Sequence, residues 1–403
     1  MASDEQRVLD WAADQFGRSA ADLLLTLIAG DASPRRYYRL TAANTQPSLV
    51  LKNNQQLMDS CILMVSPPSE SNDAFLHVGA RLSAAGQQTP TVWASSLREG
   101  WFLLEDFGDS QLLAALSPDS APQFYRAALG ALAKQCLMPC CQAGIPNYDA
   151  ARLQQELDLF PEWFFLGLLG GVATPAITSR FHALSQHLID AALSQPAVWV
   201  HRDFHSRNLM VLDNGALGVI DFQDAVIGPI TYDPVSLLKD CYVRWSRQQQ
   251  VEWLSEYLET LKALPNRHDL VWVDEDSRSA SSQAHDGVAR SGSVDRHASR
   301  LADLSQQLGD VTDEQFCRWF DLMGLQRHLK VLGIFARLHL RDRKSGYLDD
   351  LPLVAEYVRE ALRLTAGSHS ALDTFGDWFE TEVMPMVRRQ PWNRPVDQEG
   401  WAK

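Results

Sequence analysis

The sequence predicts an α+β fold of two lobes, a small β-rich N-terminal lobe and a large, mainly α-helical C-terminal lobe. Up to about residue 106, short apolar runs of strand length alternate with turn-forming residues; beyond about residue 110, apolar residues recur mostly with helical period. The chain has 403 residues, 46% of them hydrophobic and 21% charged, which suffices for two such lobes. We therefore expect an N-terminal lobe over residues 1–106 and a C-terminal lobe over 107–403.

The N-terminal lobe is predicted to contain strands around one helix. The strands are expected over residues 23–28, 37–40, 48–52, 91–94 and 101–104. Phe75, Val78 and Leu82 recur at helical spacing and predict the helix between the third and fourth strands. The last strand leads directly into residues 105–108, at the entry to the second lobe.

The C-terminal lobe is predicted to be a set of helices that enclose two short strands. Helical periodicity covers residues 121–138, 151–168, 178–194, 232–263, 313–340 and 351–364. The strands, 197–200 and 217–220, each end at a cluster of polar residues, as a rigidly supported active site requires. Residues 274–300 are polar and predict a disordered insertion, whereas the tail beyond about 365 keeps helical spacing and predicts a packed helix.

Composition and charge narrow the class of partner. A formal net charge of −14 disfavours nucleic acid and anionic membranes, because those partners are bound by clustered Lys and Arg. No apolar stretch approaches the length of a membrane span, so we expect a cytoplasmic protein. Six cysteines without metal-binding spacing predict reduced thiols, and no obligate protein partner is evident. A small-molecule substrate is favoured.

The motif that indicates the chemistry is His-Arg-Asp-Phe-His-Ser-Arg-Asn at residues 201–208. This is the spacing of a kinase catalytic loop, in which Asp203 would accept the proton of the substrate hydroxyl and Asn208 would bind magnesium. Asp221 follows a short strand and is the second predicted magnesium ligand. Such Asp and Asn residues singly are typical of turns and caps. The combination predicts transfer of the γ-phosphoryl group of ATP with Mg²⁺ as cofactor.

Lys52 is the predicted lysine for the ATP phosphates, because it ends an apolar strand of the N-terminal lobe. Its acidic partner is expected at the entry of the following helix, where Glu70 and Asp73 both qualify and Glu70 is preferred. A solvated lysine and a helix-capping acid are the structural alternatives. Protein kinases are disfavoured, since residues 30–36 depart from the glycine-rich loop and Gln223 follows Asp221-Phe222 where those enzymes have glycine.

With these motifs in place, the chain resembles the aminoglycoside phosphotransferase and choline kinase superfamily over nearly its whole length. The segments 30–39, 221–225, 228–233 and 321–330 more narrowly resemble bacterial anomeric kinases of N-acetylmuramate and N-acetylglucosamine, which act in peptidoglycan recycling. The resemblance implies a bilobal, protein-kinase-like fold. It also implies an amino-sugar substrate and a sugar 1-phosphate product.

The resemblance further implies residues for both substrates. For ATP they are Lys52, Glu70, Ser33, Glu105 and Phe107, and for the sugar they are Asp224, Asp233, Asp240, His205 and Arg327. Asp233 has an alternative reading as a helix cap, because Pro234 follows it.

Two other functions stay open at this point. One is a kinase of another hydroxylated small molecule, of the aminoglycoside, choline or homoserine type. The other is a nucleotide-binding pseudokinase scaffold, which would have no chemical need for all four of Asp203, Asn208, Asp221 and Lys52.

Overall fold

A computed structural model describes residues 2–29, 34–43, 48–53, 55–67, 69–140, 144–264 and 291–396 of the chain. The chain divides into two compact units. The N-terminal unit comprises Met1–Ser83, Gln87–Ser110 and Met210–Gln223, and the C-terminal unit comprises Ala84–Gly86, Gln111–Leu209 and Asp224–Lys403. The N-terminal unit therefore includes a segment from far beyond the boundary that was predicted near residue 106.

The N-terminal unit is built on an antiparallel sheet. Its strands in chain order are β1 (Leu23–Ala29), β2 (Arg36–Ala42), β3 (Leu49–Val50), β4 (Leu57–Met58), β5 (Ser60–Val65), β6 (Val92–Ser96) and β7 (Trp101–Leu104). Five of them form one sheet in the order β1-β2-β5-β7-β6, and β3 pairs separately with β4. The first two predicted strands are confirmed as β1 and β2, which pair antiparallel.

The third strand of the five-stranded sheet differs from the prediction. Residues 48–52 contribute only the two-residue β3, whereas β5 takes the central position between β2 and β7. Both segments reach the core, since Leu49 of β3 and Cys61 and Leu63 of β5 have no exposed surface, but β3 pairs with β4 outside the five-stranded sheet. The strand prediction at 48–52 was wrong in its extent, and β5 was missed.

The core of the N-terminal unit lies between the sheet and the first helix, Ala2–Phe16. Leu40 of β2 and Leu103 of β7 are fully buried there. A second helix, Asn72–Ala84, confirms the helix predicted from Phe75. The ring of Phe75 packs edge-on against Phe102 of β7, with ring centroids 5.7 Å apart, and so joins this helix to the sheet.

The C-terminal unit is mainly helical, so the predicted α+β class is confirmed. Its helices are Leu112–Ala115, Ala121–Gln135, Ala150–Leu157, Pro175–Leu193, Tyr232–Leu238, Arg247–Ala263, Ser291–Gly309, Asp313–Leu340, Leu351–Leu364, Ser370–Trp378 and Met384–Arg388, with π-helical segments at Phe160–Leu168 and Phe379–Val383. Two predicted helices, 151–168 and 232–263, are each divided into two segments in the structure. The tail helix predicted beyond residue 365 is confirmed, with Phe375 fully buried.

The helix Asp313–Leu340, called the long helix below, has the bounds that its periodicity predicted. Thr312 caps it by accepting the backbone N–H of Gln315 over 3.2 Å, and acidic residues occupy its first turn. The long helix packs against Tyr232–Leu238, Leu351–Leu364 and Phe160–Leu168. It is buried along most of its length, polar residues included, and for this reason it can bring charged side chains into the interior.

The predicted insertion at 274–300 is partly wrong. Residues 291–300 begin the helix Ser291–Gly309, which is anchored by the buried Leu304 and Leu308. The remainder, 274–290, lies outside the described residues. The described segments include no helix with the length and apolar character needed to cross a bilayer.

Candidate active site

The segment 201–208 connects β8 (Ala197–Val200) to β9 (Leu209–Val211) and is called the catalytic loop below. β8 pairs with β11 (Val226–Pro229), while β9 pairs with β10 (Leu217–Val219). The buried side chains of β8 fix the strand from which the loop starts.

A buried carboxylate, Asp233, holds the first half of the catalytic loop. Its Oδ2 accepts the backbone N–H of His201 over 2.7 Å, and its Oδ1 accepts that of Arg202 over 2.9 Å. Gln135 Nε2 donates a third hydrogen bond to Oδ2 over 3.1 Å. Arg202 has a φ of 78°, a left-handed conformation that is unfavourable for a residue with a side chain, so these hydrogen bonds stabilise a strained backbone.

A second buried carboxylate, Asp240, holds the other half. Its Oδ2 accepts hydrogen bonds from the backbone N–H (2.9 Å) and the hydroxyl (2.5 Å) of Ser206, and its Oδ1 accepts the N–H of Tyr242. Asp233 and Asp240 are 3% and 1% exposed. Their oxygens bind the backbone and side chains of the protein, so the geometry supports loop positioning for both residues in place of the predicted sugar contact.

The side chain of Asp203, the predicted base, is half-buried on this loop. Burial opposes its ionisation, but Lys330, His205 and Arg202 favour the carboxylate more strongly and lower its pKa to about 2. The side chain is therefore a carboxylate throughout the neutral range. An ionised, positioned carboxylate can align a hydroxyl and accept its proton as a new bond forms.

Two further loop residues lie close to Asp203. Asn208 Nδ2 donates to the backbone carbonyl of Asp203 over 3.0 Å, which fixes the plane of the amide. The same nitrogen lies 3.5 Å from Nε2 of His205, whose ring packs edge-on against Tyr242. The structure thus brings together Asp203, His205 and Asn208 as predicted neighbours.

Glu156 is a buried carboxylate beside the catalytic loop that the sequence prediction missed. Arg202 Nη2 donates to its carboxylate over 2.5 Å, Lys330 Nζ lies 3.0 Å from it, and the hydroxyl of Tyr148 also donates to it. Burial raises its pKa, but Lys330 and Arg202 outweigh burial and the pKa is lowered. The available signal was an acidic residue between Leu153 and Leu157 on the buried face of a helix.

Two of the predicted sugar-binding residues differ in exposure. Arg327 of the long helix is 4% exposed and points its Nη1 at Cys241 Sγ, 3.7 Å away, and it contributes to the low pKa of Asp203. Asp224 is exposed, and its backbone carbonyl accepts a hydrogen bond from Arg202 over 3.5 Å. Both remain candidates for contact with a ligand.

Asp221, the second predicted magnesium ligand, lies just after β10 in the N-terminal unit. Its φ is 64°, and Gln223 Nε2 donates to its Oδ1 over 2.9 Å. The neighbouring Phe222 is buried and stacks on Phe75 with ring centroids 5.1 Å apart. This stacking ties the segment that carries Asp221 to the helix Asn72–Ala84, while the carboxylate itself is exposed.

The predicted pair of Lys52 and Glu70 is wrong. Lys52 Nζ binds Asp14 of the first helix over 2.8 Å, and both side chains are largely exposed. Glu70 lies 3.8 Å from Nη2 of Arg35, which is 1% exposed. The physical reason is the position of Lys52, because it follows the separate strand β3 and is therefore not on the five-stranded sheet.

The remaining predicted ATP-binding residues follow β7, apart from Ser33, which lies outside the described residues. Glu105 is fixed by Thr91, whose hydroxyl donates to Oε2 over 2.7 Å. The ring of Phe107 packs directly on Gly218 of β10, where a Cβ atom would lie only 2.6 Å from it. Across the described ranges, no three His, Cys, Asp or Glu residues form a metal site by themselves.

Sequence comparison places this geometry among known proteins. The model of the phosphotransferase enzyme family matches residues 25–271. An N-acetylmuramate/N-acetylglucosamine kinase from Pseudomonas putida is 35% identical over 339 residues, which cover 84% of this chain and 83% of the relative. A kinase of the same name from Neisseria meningitidis is 32% identical over 85% of this chain and 86% of its own length.

Structure comparison gives a more distant likeness. A choline kinase from Cryptosporidium parvum matches 93% of this chain and 99% of its own chain, with a TM-score of 0.55 and 9% sequence identity. At this identity the likeness shows the fold alone, which is that of a kinase.

Proposed function

The chain belongs to the phosphotransferase enzyme family, and from this premise we propose that it is an ATP-dependent sugar kinase acting on N-acetylmuramate and N-acetylglucosamine. The observation that supports the chemistry best is Asp203, an ionised carboxylate on a loop held by two buried acids. The sugar class follows from the relatives, which are similar over most of both chains. The acceptor is the anomeric hydroxyl, and the product is the sugar 1-phosphate.

In the proposed reaction the anomeric oxygen forms a bond to the γ-phosphorus of ATP. The bond between this phosphorus and the β–γ bridging oxygen breaks, and ADP leaves with that oxygen. Asp203 aligns the hydroxyl and takes its proton. Arg327 and Asp224 are the proposed sugar contacts, together with His205 beside the base.

The donor set fits magnesium. Asn208 offers an amide oxygen from a side chain that is already oriented, and Asp221 offers an exposed carboxylate, both of the oxygen type that Mg²⁺ prefers. Bound there with ATP, the ion would neutralise charge that develops on the phosphate oxygens. Normal magnesium dependence in both Asn208→Ala and Asp221→Ala would contradict this assignment.

The acceptor is tested with a panel of compounds under ATP. The panel contains N-acetylmuramate, N-acetylglucosamine, choline, homoserine and an aminoglycoside, and phosphorylation of the two amino sugars is expected. Turnover of only choline, homoserine or the aminoglycoside would replace the proposed substrate, and the absence of any turnover would favour a nucleotide-binding scaffold.

The position of transfer is tested with the methyl glycoside of N-acetylglucosamine, which is blocked at C1. We expect no phosphorylation of this analogue and an acid-labile, non-reducing phosphate from the free sugar. Equal rates on the two compounds would refute transfer to C1, although the kinase activity itself would stand.

A further inference from the structure

The central strand of the N-terminal sheet lacks the lysine with which kinases normally bind the phosphates of ATP. Kinases carry a phosphate-binding lysine on the third strand of this sheet, paired with a glutamate of the next helix. Here the third strand is β5, and its sequence, Ser-Cys-Ile-Leu-Met-Val, has no basic residue. Lys52 lies off the sheet on Asp14.

Arg35, directly before β2, is a buried cation that lies close to the acid before the next helix. Its Nε donates to Ser66 Oγ over 3.2 Å, and its Nη2 lies 3.8 Å from Oε2 of Glu70, just before the helix Asn72–Ala84. The guanidinium also lies 5.9 Å from the ring centroid of Phe75 on that helix. Arg35 therefore connects β2 and the segment after β5 to this helix.

The segment that carries Asp221 lies against the same helix. Phe222, the residue after Asp221, stacks on the ring of Phe75 with ring centroids 5.1 Å apart. The guanidinium of Arg35 and the segment that carries the proposed magnesium ligand therefore both contact Phe75. A cation beside the metal ligand is the arrangement that binding of a metal–nucleotide complex requires.

We propose that Arg35, paired with Glu70, binds the phosphates of ATP in place of a strand lysine. The proposal rests on the proposed kinase function. A guanidinium suits the task, because its five donors in a planar fork bind a carboxylate, a hydroxyl and a phosphate oxygen at the same time. The burial of Arg35 strengthens the attraction between its guanidinium and a phosphate, since water screens buried charges less than exposed ones.

The test compares Arg35→Met with Arg36→Met, a matched control at the adjacent, exposed arginine of β2. The readouts are the rise in Tm that Mg-ATP produces and the separate KM values for ATP and sugar. Arg35→Met should lose the rise in Tm and increase the KM for ATP by about tenfold or more, with the sugar KM within about twofold. Arg36→Met and Lys52→Met should keep the wild-type response.

Loss of the ATP response in Lys52→Met together with its retention in Arg35→Met would overturn the proposal. If Arg35→Met does not fold, Arg35→Lys and Glu70→Gln take its place. Both variants are expected to weaken the rise in Tm that Mg-ATP produces. An unchanged rise in either variant would overturn the pairing of Arg35 with Glu70. Because this readout needs no sugar, it separates failure at Arg35 from a wrong acceptor, which the compound panel detects.

Discussion

Asp233→Asn is the substitution that best separates the observed role of this residue from the role that the sequence predicted. A sugar-binding aspartate, changed to asparagine, would raise the KM for the sugar and leave the fold unaffected. A residue that holds the catalytic loop would instead lower stability and kcat together. The structure supports the second outcome, because both carboxylate oxygens bind within the protein.

The magnitude follows from the three hydrogen bonds. An asparagine side chain has one oxygen, which accepts hydrogen bonds, and one NH₂ group, which only donates them. In either orientation of the amide, the NH₂ group therefore faces the backbone N–H of His201 or of Arg202, and that hydrogen bond is lost. Each lost bond to a charged group costs about 1.5–3 kcal/mol. Burial raises the pKa of Asp233, so removal of its charge returns part of the desolvation cost. We therefore expect a loss of about 2 kcal/mol in the free energy of unfolding.

The kcat of Asp233→Asn should fall by more than the loss of folding free energy alone would cause. Arg202 adjoins Asp203, and its backbone conformation depends on the lost bond, so the base is displaced. A displacement of about 1 Å can cost about 100-fold in rate. The assays are urea unfolding and steady-state kinetics, with Asp213→Asn in an exposed turn as the matched control. An Asp233→Asn protein with wild-type stability and kcat but a raised sugar KM would refute the reasoning.

Four further outcomes are expected. Asp203→Asn should abolish turnover while Mg-ATP binding stays within about threefold in a calorimetric titration, and substantial turnover would remove Asp203 from its role as base. Because its pKa of about 2 lies below the ordinary value, Asp203 stays ionised as pH falls, so kcat/KM at saturating Mg-ATP should show no acid limb above pH 5 from this group. Lys330→Met should raise the pKa of Asp203 and so move the acid limb due to this group to higher pH, since Lys330 is the strongest stabiliser of the carboxylate. An acid limb at the wild-type pH would contradict this. Asp321→Ala should cost about 3–5 kcal/mol in urea unfolding, because it leaves Lys239 and Arg247 without their shared carboxylate; a loss below about 1 kcal/mol would be inconsistent with that pairing.

The kinase class could be predicted from sequence because the motif that indicates it is local. Asp203 and Asn208 lie within one loop at fixed spacing, and the strand before Asp221 is short and apolar. The bounds of the long helix were equally accessible, since Thr312 caps it and its periodicity is uninterrupted. In both cases the residues that determine the structure lie within a few turns or one loop of each other in the sequence.

The partners of charged residues could not be predicted because they are distant in sequence. Lys52 and Glu70 are both near the expected positions in the chain, yet β3, the strand before Lys52, pairs with β4 outside the five-stranded sheet, and Lys52 binds Asp14. Asp233 and Asp240 lie about 30 residues beyond the loop that they hold, and the apolar residues around them do not indicate which part of the chain they bind. A polar residue that binds backbone inside the fold and one that binds a ligand have the same appearance in sequence.

The two buried acids also have a consequence for redesign of the enzyme. Because Asp233 and Asp240 fix the loop from within the protein, the residues that hold the proposed base Asp203 in position are buried, whereas Asp224 is exposed. A mutant library for new acceptors should therefore vary Asp224 freely and keep both acids constant. Because the residues that hold the loop differ from the exposed ones, substitutions at exposed positions would change the acceptor preference during evolution without changing the position of the proposed base.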